Sequence, residues 1–255
     1  MKINILGYGV MGKQIAALFY AGGYNVKIWD YIKINLDDLN MEIKKVRKAF
    51  GLQKIGNLSC IGRIADIENH PTIEALVEDL GVKRKVYDSV KNNITGYYYS
   101  NTSSYAPNEI GRGVSALHFF NPISMSIAEY YLADGKKSNS LLEFLQSIGF
   151  DLIEVRNNRG YIGNYILFNE ISTAMKLIEK NKYRAEDINK IYAKLYPGRN
   201  IFKIMDVIGL DVVCKILLNL KEKDSGIYIS QFLKNAVEQN ILGRKNKTSI
   251  MEVIK

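Results

Sequence analysis

Residues 2–6, Lys-Ile-Asn-Ile-Leu, alternate and are rich in isoleucine, which predicts a short buried strand. Gly7-Tyr8-Gly9-Val10-Met11-Gly12 follows without a gap. Gln14 to Phe19 then continues with helical character to a stop at Gly22-Gly23, and a second strand, Tyr24 to Trp29, ends on Asp30. Few folds accept strand, glycine turn, helix, strand and acid in that order. Gly7 lets the chain turn tightly, Gly9 lets the backbone approach a pyrophosphate, and Gly12 lets the helix lie against the sheet. Val10 and Met11 complete the turn, and the helix start offers N–H groups and a positive dipole end to phosphates. Asp30, 18 residues after Gly12, is placed to accept hydrogen bonds from the adenosine ribose. Its charge repels a 2′-phosphate and no arginine follows it closely, so NAD is the expected cofactor rather than NADP.

The pattern continues as alternating strands and helices. Residues 71–78 read as a buried strand ending in an acid, and a helix starts near Val82. A strand from Gly96 to Ser100 runs into Asn101-Thr102-Ser103-Ser104, and another leads to His118-Phe119-Phe120-Asn121-Pro122. Ile127 to Tyr131 is a further strand, 138–149 a helix, and Asp151 to Val155 the last strand before the junction Arg156 to Gly160. Beyond it the pattern is helical: a stripe from Ile166 to Ile178, then Glu186 to Leu195, Ile201 to Leu220 and Tyr228 to Leu242. The expected fold is α/β, with a Rossmann-type, mostly parallel sheet domain over 1–159 and an all-helical domain over 160–255. Loops after successive parallel strands collect at one edge of such a sheet, where ligands bind.

Bulk properties narrow the alternatives. No apolar run approaches the roughly 18 residues that span a bilayer, and the N-terminus lacks a secretory stretch. Cys60 and Cys214 have no metal-like spacing, so neither a zinc site nor a disulfide framework is expected, and a reducing cytoplasm is the default. The net charge of +9 is scattered. Its densest cluster, Lys44-Lys45-Val46-Arg47-Lys48, reads as a solvated helix face, and no nucleic-acid partner is expected.

Six stretches resemble the 3-hydroxyacyl-CoA dehydrogenase family, in the family's order and across almost the whole chain. They are Glu74-Ala75-Leu76-Val77-Glu78 with Lys83, Asn101-Thr102-Ser103-Ser104, His118-Phe119-Phe120-Asn121-Pro122, Gly160-Tyr161-Ile162-Gly163-Asn164, Asp206 to Asp211, and Gly243-Arg244-Lys245. The resemblance implies NAD-dependent oxidation of an L-3-hydroxyacyl-CoA, as in fatty-acid β-oxidation, by a homodimer whose helical domain closes over the substrate. It implies that His118 is the catalytic base and Glu129 its orienting carboxylate, and that Ser103 and Asn164 hold the reacting oxygen. By the same resemblance Glu78, Lys83, Ser103, Asn121 and Lys245 line the nicotinamide-ribose side of the cofactor.

Histidine suits the base because its ordinary ionisation lies near neutrality, and the chain has only His70 and His118. His70 precedes Pro71 in a loop and is given no role. A structural histidine and an exposed strand acid remain the alternative readings of His118 and Glu129. Eleven positions separate the two, and the family pattern has one residue more. If the shortening falls in the turn at Ile123 to Ser126, Glu129 still points inward. If it falls in the strand, the side chain faces the other way. Asn101 and Ser104 are also ordinary turn formers.

The chain departs from the family at Tyr165, where arginine is usual, at Gly198-Arg199-Asn200-Ile201, and at Asn246 to Ile250. The stretch from Asp30 to Pro71 is short where the family has a helical hairpin that contacts coenzyme A, although Lys44, Lys45, Arg47 and Lys48 remain as charges for its phosphates. Two other readings therefore stand beside the first. One is a dehydrogenase of a free hydroxy acid such as gulonate, and the other is a non-catalytic NAD-binding relative.

Overall fold

The computed structural model describes residues 1–133, 135–137 and 139–254. It contains two compact units, Met1–Tyr161 and Ile162–Lys255.

The first unit is built on one eight-stranded sheet of order β3-β2-β1-β4-β5-β6-β7-β8. The strands are β1 (Lys2–Leu6), β2 (Asn25–Trp29), β3 (Leu58–Cys60), β4 (Thr72–Glu74), β5 (Tyr98–Ser100), β6 (Ser115–Phe119), β7 (Ile127–Tyr131) and β8 (Asp151–Glu154). Neighbours pair in parallel except β6 and β7, so β7 and β8 run against the other six. Helices α1 (Val10–Ala21), α2 (Leu39–Phe50), α3 (Leu80–Val90), α4 (Pro107–Ile110) and α5 (Ser140–Ser147) connect them. Strand order reverses between β1 and β4. In a doubly wound sheet the ligand crevice opens there, beyond the carboxyl ends of the strands.

Local chemistry explains the central elements. β1 lies mid-sheet, and Ile3, Asn4, Ile5 and Leu6 are wholly buried. Asn4 is tolerated there because its amide donates to the Glu68 carbonyl at 3.0 Å and to Thr72 Oγ1 at 3.1 Å. Helix α1 buries Ile15 to Phe19 against the sheet, and the Phe19 ring packs edge-on to Tyr24 and tilted to Phe144. Burying a side chain of Phe19's size stabilises the fold by about 1.5–3 kcal/mol.

Several boundaries differ from those the sequence suggests. The strand expected over 71–78 covers only Thr72–Glu74, because Glu74 then accepts the Leu76 N–H at 2.6 Å and turns the chain. The strand expected from Gly96 begins at Tyr98. The helix expected over 138–149 is Ser140–Ser147, capped by Asn139; Ser138 lies outside the described residues. Between Asp30 and Pro71 the only α-helix among the described residues is α2.

The second unit is helical: α6 (Gly163–Glu179), α7 (Ala185–Leu195), α8 (Ile201–Ile208), α9 (Leu210–Lys221) and α10 (Gln231–Glu238). Its core gathers Phe168, Ile171, Met175, Met205, Leu210, Leu217 and Leu233. The single helix expected over Ile201–Leu220 is two, because Gly209 at φ 99° breaks the hydrogen-bond ladder while the apolar stripe runs on. The last helix starts at Gln231 rather than Tyr228, with Ser230 accepting the Phe232 N–H.

Among the described residues no helix is long and apolar enough to cross a membrane, and no group of three or more potential ligands gathers for a metal. Cys60 is exposed and Cys214 buried, both as free thiols.

Candidate active site

The glycine turn joins β1 to α1. Gly7 has φ +108°, and a Cβ there would fall 2.4 Å from the Ala75 carbonyl oxygen. A Cβ on Gly12 would fall 2.1 Å from the Gly7 oxygen, so the helix start rests directly on the turn. At Gly9 a Cβ would meet nothing within 4 Å, and Val10 is 66% exposed. The first turn of α1 has neither a side-chain cap nor an acid, so its N–H groups face outward toward any anion. Asp30 accepts the Tyr8 N–H at 2.5 Å and the Ile32 N–H at 3.1 Å. Two oxygens carry about four acceptor sites, so ribose hydroxyls can still be served. Met11 is half-buried beside the turn. The arrangement fits a dinucleotide.

Asn121 closes a cleft beside this turn. Its Oδ1 accepts from Gln14 Nε2 at 3.0 Å, and Gln14 Oε1 takes the Ile123 N–H at 2.8 Å. Gln14 thus clamps the loop holding the cis Asn121-Pro122 peptide. Val10, Gln14, Lys45, Asn121, Pro122 and Ser124 border a cleft of about 270 Å³. Lys44, Lys45 and Lys48 of α2 are exposed, and Arg47 is half-buried.

A buried ionic network sits where β4 and β5 end. Lys83 is 1% exposed, and its ammonium meets Glu74 Oε1 at 2.8 Å, Glu78 Oε2 at 3.2 Å and the Leu76 carbonyl at 3.5 Å. Three acceptors match its three donors. Glu78 Oε1 accepts from Thr102 Oγ1 (2.6 Å), the Ser103 and Ser104 N–H groups (3.0 and 2.9 Å) and Ser104 Oγ (2.7 Å). Burial opposes ionisation of Glu78. The field of Lys83 and the hydrogen bonds from Thr102, Ser104 and Ser103 outweigh it and hold the carboxyl at about 2. Burial likewise opposes charge on Lys83, and the two glutamates overcome it and raise its ionisation. Glu78 and Lys83 thereby fix the Thr102–Ser104 turn that carries Ser103. Asn101 Oδ1 accepts the Phe119 N–H at 2.9 Å and ties this turn to β6.

His118 and Glu129 face each other directly across the antiparallel β6–β7 pair. His118 Nδ1 lies 2.8 Å from Glu129 Oε2, and both residues are buried. The connection turns through Ile123–Met125 and Ser126 at φ 56°, and the two strands meet in register. A carboxylate can only accept, so Nδ1 carries the hydrogen toward Glu129, and it is Nε2 that holds the lone pair whenever the ring is neutral. The imidazole is flanked by Phe120, with centroids 4.9 Å apart, and by Tyr161 at 5.8 Å. His70 is elsewhere, against Glu68 at 2.9 Å.

Two expected site residues belong to the helical unit. Asn164 lies in the first turn of α6. Lys245 lies in a short turn at Gly243–Asn246 and meets both Asp211 oxygens at 2.7 Å. Tyr165, which follows Asn164 in α6, donates to Asp224.

Glu74, Thr102, Gln14 and Tyr161 enter the site without having been singled out as site residues. Glu74 had a readable signal, an acid within a buried strand nine residues before a lysine. The others had none, since each depends on a partner distant in the chain.

The family described as 3-hydroxyacyl-CoA dehydrogenase, NAD binding domain, matches residues 2–157, and its C-terminal domain matches residues 160–253. The chain is 26% identical to the mitochondrial hydroxyacyl-coenzyme A dehydrogenase of Mus musculus, over 95% of this chain and 88% of that protein. It is 24% identical to a 3-hydroxybutyryl-CoA dehydrogenase of Mycobacterium tuberculosis, over 96% of both. The fold superposes on (S)-3-hydroxybutyryl-CoA dehydrogenase from Ralstonia eutropha with a TM-score of 0.81 at 20% identity, covering 98% and 97% of the two chains. With both family domains matched in order over nearly its full length, and with a glycine turn and acid that fit NAD, this chain belongs to the 3-hydroxyacyl-CoA dehydrogenase family and takes NAD as its cofactor.

Proposed function

We propose that the chain catalyses the reversible oxidation of an L-3-hydroxyacyl-CoA to the 3-oxoacyl-CoA. The observation that carries this reading is the buried His118–Glu129 pair, which leaves Nε2 as the basic nitrogen. NAD, when bound, supplies the hydride acceptor. His118 takes the hydroxyl proton on Nε2, and Glu129 holds the ring in the required tautomer and stabilises the imidazolium. Ser103 and Asn164 align the oxygen. Gly7, Gly9, Val10, Met11 and Gly12 cradle the pyrophosphate, and Asp30 takes the ribose. Glu78 and Lys83 serve the cofactor side by holding the Ser103 turn in place, with Asn121 on the neighbouring loop and Lys245 from the helical unit.

The test is NADH absorbance with purified protein and acetoacetyl-CoA, repeated with free acetoacetate. Oxidation with the thioester supports the reading. His118→Ala should lower kcat by at least about a hundredfold, the usual lower bound for a positioned acid–base group, with NADH affinity kept. Equal loss of NADH binding would remove His118 from this role.

Activity on a free hydroxy acid is the second reading. It is favoured by α2 being the only α-helix described between Asp30 and Pro71, which reduces the surface available to coenzyme A. Turnover of the free acid alone would select it. The protein is further proposed to act as a homodimer in the cytoplasm. In the helical unit Leu177, Tyr183, Ile188, Ile191, Leu195 and Tyr196 border an apolar groove of about 620 Å³, and both cysteines are free.

A further inference from the structure

Tyr161 is 7% exposed, yet among the described residues no group hydrogen-bonds to its phenolic oxygen. A buried hydroxyl without a partner is uncommon and calls for an explanation. Its backbone is also unusual: φ is 45°, a left-handed conformation that an aromatic residue adopts only under constraint, and Gly160 before it has φ 78°. Strained residues of this kind cluster at functional sites. The ring is held beside the His118 imidazole, at 5.8 Å between centroids and 41° between planes. Burial first, and then the negative fields of Glu78, Glu129 and Glu74, push its ionisation well above the ordinary phenol range. Three carboxylates are thus within electrostatic reach, and none accepts its hydrogen. The hydroxyl therefore keeps its proton, on a ring that lies beside the His118 imidazole.

We propose that the Tyr161 hydroxyl donates a hydrogen bond to the reacting oxygen of the substrate beside His118, making Tyr161 a further catalytic residue. This rests on the reaction proposed above. An oxygen that becomes an alkoxide when the ketone is reduced gains more from a fixed donor than the ketone does, so the bond strengthens as charge develops. The phenol keeps its proton throughout, and His118 remains the group that gives and takes one.

Tyr161→Phe removes one oxygen and keeps the ring against His118. With acetoacetyl-CoA the variant should lose about a hundredfold in kcat, the scale for one donor to a developing oxyanion, with KM little changed. NADH affinity by fluorescence titration should match the wild type. The ligand-free variant should melt no lower than the wild type, because the lost hydroxyl had no partner in the free protein. A kcat within about twofold of wild type overturns the proposal. So does a rise in KM alone, or a lower melting temperature, which would mark a structural hydroxyl. Wild-type silence with both acetoacetyl-CoA and acetoacetate defeats the proposed reaction and this assignment with it. An active wild type with an unimpaired Tyr161→Phe defeats only the assignment.

Discussion

Glu78 gathers much of the site around itself, with one oxygen on the Thr102–Ser104 turn and the other toward Lys83. Its folded ionisation near 2, against an ordinary 4.5, sets the sign of its pH dependence. A depressed carboxyl stabilises the fold above its unfolded value, and that contribution fades as pH falls from about 4.5 toward 2. Glu78→Gln should cost roughly 2–4 kcal/mol near neutrality, since it removes a charge partner of buried Lys83 and an acceptor of several N–H and O–H groups. Urea unfolding at about pH 6 and about pH 3.5 should show the gap between wild type and variant narrowing in acid. An equal gap at both would mean that the carboxylate's charge is not what holds the turn. His118 and the glycines stood out in the sequence because few residue types suit a base near neutrality or so tight a turn. The hydrogen bonds that occupy Glu78 and Lys83 were hidden, because Thr102 and Ser104 are neighbours of Glu78 only after β4 and β5 pair.

At the scale of elements, the β1–α1–β2 unit was readable almost to the residue. Its strand is apolar, its stops are glycines, and its turn admits no side chain at Gly7 or Gly12. Gly12→Ala would drive a Cβ toward the Gly7 oxygen, now at 2.1 Å from where that atom would stand, and push the helix start off the turn. The expected result is at least about tenfold weaker NADH binding, or 1.4 kcal/mol, in a titration, together with a lower melting temperature. Unchanged affinity would show that the helix N-terminus is not where the pyrophosphate sits. Elements failed to be legible where periodicity is blind to a single dihedral. The apolar stripe through Ile201 to Leu220 runs on past Gly209, and an isolated glycine in a helical pattern does not say that it will take the φ of 99° that breaks the helix here. The run 71–78 looked like one strand because a buried acid that bends the chain back on itself is spelled the same as one that ends it.

The whole molecule has separate hydrophobic cores in its two units, the largest of them formed by residues of the sheet unit alone and by residues of the helical unit alone. In the helical unit Ile191 and Leu195 are 63% and 68% exposed along one apolar groove. If a second copy covers that groove, Leu195→Asp places a charge in the contact and should shift the protein from dimer to monomer in sedimentation. Its NADH affinity should remain, because every residue of the glycine turn is in the sheet unit. A dimer that survives the substitution would move the contact elsewhere. The order of the elements and the division into sheet and helices were evident from the sequence. The apolar groove was not, because its residues read like ordinary core until the fold leaves them uncovered.

The direct pairing of His118 with Glu129 across β6 and β7 has one more consequence. Their separation is measured by a hydrogen-bonded ladder rather than by counting along the chain, so the bend between the strands behaves as slack in a rope tied at both ends. A chain can shorten or lengthen that bend and keep the same contact, provided the two strands meet rung for rung. A pattern written with a fixed spacing between histidine and carboxylate would therefore overlook chains that keep the pair intact.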